Sequence, residues 1–298
     1  MLDFIYYPVS AILWFWHKVF GAVFDPASGY AWALSVIFLV FTLRALLFKP
    51  FVHQVRSMKK MQEFAPRVRE LQAKYGDDRQ KLAAEMQKMQ AEQGFNPLSG
   101  CLPMLVQIPV FIGLFHVLSG FKPGAASNFV FDRAEVASFV DADLFGAKLA
   151  NTISQAPDTL AAFGTDRSSM LLVGVPLMLV AAVATHFTAR HSVQRQTVDA
   201  AQNPQTAMMN RLTVWIFPMF VIIGGPFLPL AILIYWLANN IWTLGQQRVV
   251  YRKIDREEAA KPPAVVDSTA VTAAPEDQPG EIPGVIEDKS RGADGEIR

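Results

Sequence analysis

The chain holds a single cysteine, Cys101, among 298 residues. No internal disulfide can form, so the fold must hold by packing and hydrogen bonding, and the redox compartment stays open. The sequence also lacks HExxH, GxSxG, GxxxxGK[ST] and CxxC, the patterns that announce zinc hydrolysis, serine hydrolysis, phosphate cradling and thiol or zinc chemistry. Carboxylates are missing from every long apolar run, which removes the intramembrane acid–base relay of a proton-coupled pump. The first residues, MLDFIYY, have no basic region and no small-residue cleavage signal, so a cleavable signal peptide is not expected. These absences point to a protein that is not an enzyme, with no cofactor and no metal.

What the chain has is apolar length. It is 52% hydrophobic with a mean hydropathy of +0.24, the composition of a polytopic membrane protein with polar extensions. The net charge of +1 is unevenly spread. From Asp255 to Arg298 there are 11 acidic and 5 basic residues, a balance of −6, which leaves +7 for the rest.

Residues 31–50, AWALSVIFLVFTLRALLFKP, read as a membrane span with one charge in it, Arg44. An arginine in hydrocarbon costs roughly 2.5–3.5 kcal/mol or more, so it faces a partner or a polar cavity. At ~1.5 Å per residue, Arg44 lies about 20 Å from Ala31 and about 8 Å from Lys49. The plain alternative is an arginine that snorkels from near a helix end, but apolar chain still separates it from Lys49, and no acidic residue in an apolar stretch is there to neutralise it. A water-filled pocket around it fits better.

Four further spans follow. Residues 1–30 form an aromatic helix and a turn, with Pro8 in the helix's first turn. The apolar part, 8–24, is short and interrupted by His17 and Lys18, which suits a helix lying at the interface. Residues 51–93 switch to helix-period polar sequence broken at Gly76-Asp77-Asp78, a two-helix hairpin. Its seam is Val55, Met58, Met61, Ala65, Val68, Leu71 and Tyr75, then Leu82, Met86 and Met89, with Pro66 kinking the first arm. Residues 94–121 carry no charge and form the second span, despite Pro97, Pro103 and Pro109. Residues 122–167 are a polar loop, 168–190 the third span, and 191–206 a short connector. Residues 207–225 and 227–247 form a helical pair turned at Gly224 to Pro229. The last arm carries two polar stripes at helical spacing: Tyr235, Asn239, Trp242 and Gln246, and beside them Trp236, Asn240, Thr243 and Gln247. Interhelical hydrogen bonding is the plain account of such stripes. Residues 248–298 are a tail, without an apolar face from about 255 and expected to be disordered there.

Orientation follows from basic residues. Segments 49–93, 190–211 and 248–261 hold 10, 3 and 5 Lys/Arg, whereas 1–30 and 122–167 hold 1 and 4. The positive-inside rule puts the former in the cytoplasm. The N-terminus is then outside, the C-terminus inside, and Arg44 in the cytoplasmic half. The histidines within spans, His116 and His186, lie near span ends and read as interfacial. The fold class is all-α, five transmembrane helices around a hydrophilic groove, with a cytoplasmic hairpin and an outer interfacial helix.

FLVFTLRALLFKP, a basic hairpin with GDD at its bend, FNPLSGCLPMLVQIPVF, NPQTAMMNRLTVWIFPMF and LPLAILIYWLANNIWTLGQQ together resemble the YidC/Oxa/Alb membrane protein insertases over about residues 8–254. The resemblance implies a groove open to cytoplasm and lipid and closed outside, in which hydrophilic segments of nascent membrane proteins move inward without ATP and apolar segments leave sideways into lipid. It implies that Arg44 is the groove arginine, that Gln107 and Phe111 line the second span, and that Tyr235 and Trp236 belong to the substrate-contacting fifth helix, to which the stripes add Asn239 and Asn240. The partners implied are nascent membrane proteins, the lipid bilayer, the Sec translocon and the ribosome with its RNA. Two departures stand out. Relatives often carry a hydroxyl residue one turn before the arginine, where this chain has Val40, with Thr42 on another face. They also often carry a basic tail, whereas this one is acidic beyond Lys261. Two competing classes remain open at this stage: a small-anion transporter or channel using Arg44 as its binding charge, and a purely structural assembly factor.

Overall fold

The computed structural model describes residues 2–63, 65–76, 78–93, 102–196 and 204–260. The expected motif core at 94–101, Asp77 at the hairpin bend, and the chain beyond 260 lie outside the described residues, and so does the side chain of Gln107.

Helix α1, Asp3–Gly21, begins earlier than the sequence suggests and carries Pro8 in its interior rather than in its first turn. The turn after it is held by Asp25, whose carboxylate accepts from the Ala27 N–H at 2.8 Å. Ser28 then caps α2, Gly29–Leu46, by accepting from the Tyr30 N–H. Gly29 is required by a close approach: a Cβ there would lie 1.8 Å from the Asp143 carbonyl oxygen.

Helix α2 breaks at Leu47, and Pro50 sits in the first turn of α3, Phe48–Glu63, where its missing N–H is harmless. The next described helix, α4, is Ala65–Tyr75; residue 64, which joins it to α3 beside the kink expected at Pro66, lies outside the described residues. Asp78 accepts from the Lys81 N–H at 3.0 Å at the start of α5, Arg79–Gln93. Val55 does not belong to the hairpin seam. It is buried against Val250, Tyr251 and Ile254.

Helix α6 is Leu102–Ser119. The segment after it is no simple loop. A capping box at Asp132 and Glu135 starts α7, Arg133–Asp141. Strands β1, Asp143–Leu144, and β2, Ala147–Lys148, pair antiparallel, and α8 spans Pro157–Ala162. Asp166 caps α9, Arg167–Gln194, by accepting from the Ser169 N–H at 2.8 Å. Helix α10, Pro204–Gly224, ends in a 3-10 turn, Gly225–Phe227. Helix α11, Leu230–Ala259, runs past residue 247, where the sequence reading ends the last span.

The main core sits between α1, α2, α6, α11 and the ordered 122–167 segment. Its centre is aromatic. Trp32 is fully buried, and its ring meets His17 at 3.6 Å, Phe139 at 5.0 Å, Phe131 at 5.6 Å and Phe121 at 5.7 Å between centroids. Among the described residues, three helical stretches are long and apolar enough to cross a membrane: α2, α9 and Ala207–Phe227. In α6 the described apolar stretch is the shorter Ile108–Ser119. Helix α11 is diluted by the very stripes noted in the sequence.

Candidate functional site

The polar stripes of α11 face two different neighbours. Asn239, in the first, meets Arg44 of α2. The guanidinium donates to the Asn239 carboxamide oxygen twice, from Nε at 2.9 Å and again from Nη2. Further along the same face, Trp242 packs on Phe41 of α2 at 5.2 Å, and its indole N–H donates to Gln246. The second stripe faces α9: the Trp236 indole donates to Thr185 Oγ1 at 3.2 Å and Gln247 Nε2 to Ser192 Oγ at 2.8 Å. Asn240 is buried and turns back on its own helix, donating to the Trp236 carbonyl.

The expectation of a water-filled pocket around Arg44 needs correction. Arg44 is half-buried and borders a recess of about 10 Å³ lined also by Val40, Leu43, Leu47, Val110, Tyr235 and Asn239, room for about one water. Its partner is a neutral carboxamide, which accepts from two of the guanidinium nitrogens without cancelling the charge. Neither an acid nor bulk water is the partner; the amide of the first polar stripe takes that place.

A much larger cleft, about 720 Å³, lies on the other side of Tyr235 and Asn239. Its walls come from α6, α9, α10 and α11. Phe111, Tyr235, Trp236, Asn239 and Asn240 all line it, and Arg44 does not. The structure therefore brings five of the expected residues into one cleft and puts the arginine behind two of them. The cleft is mainly aromatic rather than hydrophilic; Phe115, Phe217, Phe220 and Phe227 join it. Sequence reasoning missed these four because a phenylalanine facing a cleft and one facing lipid look the same in composition. Thr185 was missed too, although its hydroxyl anchors Trp236.

The remaining candidate groups have other uses. Thr42 accepts from the Trp16 indole at 2.9 Å and donates to the Phe38 carbonyl, so it faces α1. His116 stacks on Tyr6 at 4.3 Å. His186 Nδ1 sits 3.1 Å from the Val214 carbonyl; only an N–H can donate there, which fixes that tautomer. Among the described residues no group of His, Cys, Asp or Glu could hold a metal.

Comparison with known proteins follows the same lines. Residues 23–258 match the family described as 60Kd inner membrane protein. The chain is 50% identical to the membrane protein insertase YidC of Mycobacterium leprae over 294 residues, covering 93% of this chain and 77% of the relative. It is equally identical to that of Mycobacterium tuberculosis over 298 residues, 95% of this chain and 81% of the relative. The insertase of Streptomyces avermitilis is 34% identical over 252 residues, 85% of this chain and 58% of that one.

Proposed function

The chain belongs to the YidC/Oxa family of membrane protein insertases, and from that premise we propose that it inserts nascent membrane proteins and assists their folding, using the α11 seam as its working surface. Helices α2, α6, α9, α10 and α11 are the five spans, with the N-terminus outside and the C-terminus in the cytoplasm. Basic-residue counts support that orientation.

The observation that carries the reading is the shared wall. Tyr235 and Asn239 border both the aromatic cleft and the arginine recess. An apolar client segment fits the cleft, whose aromatic lining offers contact area without a rigid sequence requirement. A polar client segment alongside it meets Asn239. With its oxygen committed to Arg44, the carboxamide presents only donors to the cleft. A client carboxylate competes with Asn239 for the guanidinium and, being charged, makes the stronger hydrogen bond. Arg44 thus attracts acidic client residues into the inner leaflet and shortens their dry path. The apolar segment then leaves sideways into lipid. Charge attraction and partition into hydrocarbon supply the driving force, and no nucleotide is needed.

The transporter reading fares worse. Among the described residues, the end of the bundle that this orientation puts outside is filled by Trp32, Phe121, Phe131 and Phe139, where a pore for an anion would need polar lining. The reading is tested with photo-crosslinkers at Gln107, Phe111, Tyr235 and Trp236 during client synthesis. Nascent segments should be captured there and not at Val180, which is 53% exposed on α9. Capture at Val180 alone would sink the cleft assignment.

A further inference from the structure

We propose that the β1–β2 turn is a membrane anchor, with Phe145 at its tip inserted beside Tyr30 into the boundary between headgroups and acyl chains. The strands pair Asp143 with Lys148 and Leu144 with Ala147, which leaves Phe145 and Gly146 as a two-residue turn. Both have positive φ, 52° and 82°, the geometry of a type I′ turn. Asn, Asp and Gly adopt it readily, and an aromatic residue does so under strain. The turn therefore gains nothing from a phenylalanine, and the fold hides little of it: Phe145 is 74% exposed. A strained, exposed aromatic points to a use outside the fold.

The turn is held firmly. The Asp143 carboxylate accepts from the Gly146 N–H at 2.9 Å, and the Thr165 hydroxyl donates to the Gly146 carbonyl at 2.7 Å. Ala142, Ala147 and Leu149 beneath it are fully buried. Its level is set by two helix starts. The Asp143 carbonyl lies against Gly29, the first residue of α2, and a Cβ on Gly146 would lie 3.3 Å from Ser169 Oγ in the first turn of α9. Both helices are long and apolar enough to cross a membrane. The 18 residues of α2 rise about 27 Å, close to the thickness of the hydrocarbon layer, so Tyr30 falls at its edge. Tyr30 is 51% exposed and meets the Phe145 ring edge-on at 6.3 Å. Aromatic side chains at that depth favour the interface. Lipid is the occupant because the tip sits across the ends of two spans. The proposal rests on α2 and α9 being spans, as in the function proposed above, and not on which side is outside.

Spin labels on the full-length protein test this in nanodiscs of phosphatidylglycerol and phosphatidylcholine. Cys101→Ser removes the single native thiol, and a nitroxide is attached through Phe145→Cys, Val180→Cys or Lys81→Cys in turn. Relaxation by oxygen, which concentrates in hydrocarbon, is compared with relaxation by a water-soluble nickel chelate. Val180, 53% exposed on α9, sets the bilayer end of the scale, and Lys81 on α5, with 72% of its side chain exposed, sets the water end. The label at 145 should read nearer Val180 than Lys81. A reading nearer Lys81 overturns the proposal and leaves the tip in water, open to a soluble partner instead. If Val180 itself reads as Lys81 does, the spans fail, and the proposed function falls together with the anchor. A second measurement separates the bilayer from the turn. Asn suits the first central position of a type I′ turn, so Phe145→Asn relieves the backbone while removing the anchor. Amide hydrogen exchange across residues 143–148 in nanodiscs should become roughly fivefold faster in this variant. Unchanged or slower exchange would mean that Phe145 serves only the fold, and would overturn the proposal.

Discussion

The two ends of this molecule are built by different rules. At the end that the proposed orientation puts outside, α1, the start of α2, the end of α6 and the 122–167 segment enclose Trp32, Phe131, Phe139, Leu149 and Leu160, each at most 1% exposed. Polar side chains stitch the rim: the Trp32 indole donates to Ser138, Ser138 donates to the Pro26 carbonyl, and Glu135 takes both the Trp14 indole and the Lys18 ammonium. This is how a water-soluble core is made, with apolar surface removed from water and each burial worth a few kcal/mol. On the cleft side, α10 packs chiefly on α9 and leaves Trp215, Phe217, Phe220 and Ile223 48–64% exposed. Lipid tails are as apolar as these side chains, so exposure there costs little and close packing gains little. On the proposed orientation the closed end, or lid, is the outer one, and the cleft side, or inner face, is the surface proposed for exchange between lipid and client.

The largest expected effect comes from breaking the lid. Trp32→Ala should destabilise the protein by about 3–5 kcal/mol, the cost of a large buried aromatic lost without collapse of its cavity. A thermal melt in detergent and the level of membrane-integrated protein report it. The same truncation at Trp215, 64% exposed on α10, should shift the melt little. Comparable shifts at both positions would erase the distinction between lid and exchange surface.

Next in size is the charge at the seam. Arg44→Glu should nearly abolish insertion of a client with acidic residues in its translocated segment, by roughly tenfold or more, since reversing a partly buried charge changes its interaction with a carboxylate by several kcal/mol. Arg44→Ala should impair insertion, and Arg44→Lys should keep much of it. In the resting structure both guanidinium donors converge on one oxygen of Asn239, so the planar fork is not used, and an ammonium can replace it. Asn239→Asp should mimic a permanently bound client carboxylate and slow the acidic client more than one without acidic residues. The assay compares both clients at equal membrane levels of each variant. Equal loss for both would assign Arg44 a structural role.

A further effect should come with pH, through the buried histidine of the lid. Burial lowers the His17 imidazole to about 4, against the pull of Glu135. Its ring lies flat on Trp32. The folded protein thus binds fewer protons than the unfolded chain between about pH 6.5 and 4, so stability should fall as pH drops through that window, by up to about 3 kcal/mol. His17→Phe keeps the stack and should flatten the dependence. Melts at pH 7.5 and 5 would check it, and an unchanged slope in the variant would point to other groups.

The inner face was the more legible of the two in sequence. One arginine in an apolar run and two amide-bearing stripes at helical spacing are rare enough to read directly, and the structure joins the arginine to one stripe. What the residues could not say was which helix each stripe meets, or that Asn239 would occupy the place expected for water. The lid was nearly illegible. Phe131, Phe139, Leu149 and Leu160 are spaced without period among turns, so a folded cap read as a polar loop. Helix α11 was cut short for a related reason. Arg248, Arg252 and Lys253 ended the apolar run, yet Val250, Tyr251 and Ile254 continue the helical period and pack on Val55.

That continuation sets the smallest expected effect. Residues 263–298 hold no aromatic residue and a strong excess of acid, a composition that cannot bury a core. Deleting them should leave the melting temperature and client insertion within error of the full chain. A cut before Arg248 is different in kind. It removes Val250, Tyr251 and Ile254 from the contact with α3, and Asp255 from Lys59 and Arg195, so the membrane-integrated level should drop. The pair of truncations locates the functional boundary of α11 between 248 and 262, within about four helical turns of the last polar stripe. If the short deletion alone lowered insertion while the melt stayed unchanged, the acidic tail would act on clients or partners directly. The inner face would then extend past the helix that carries it.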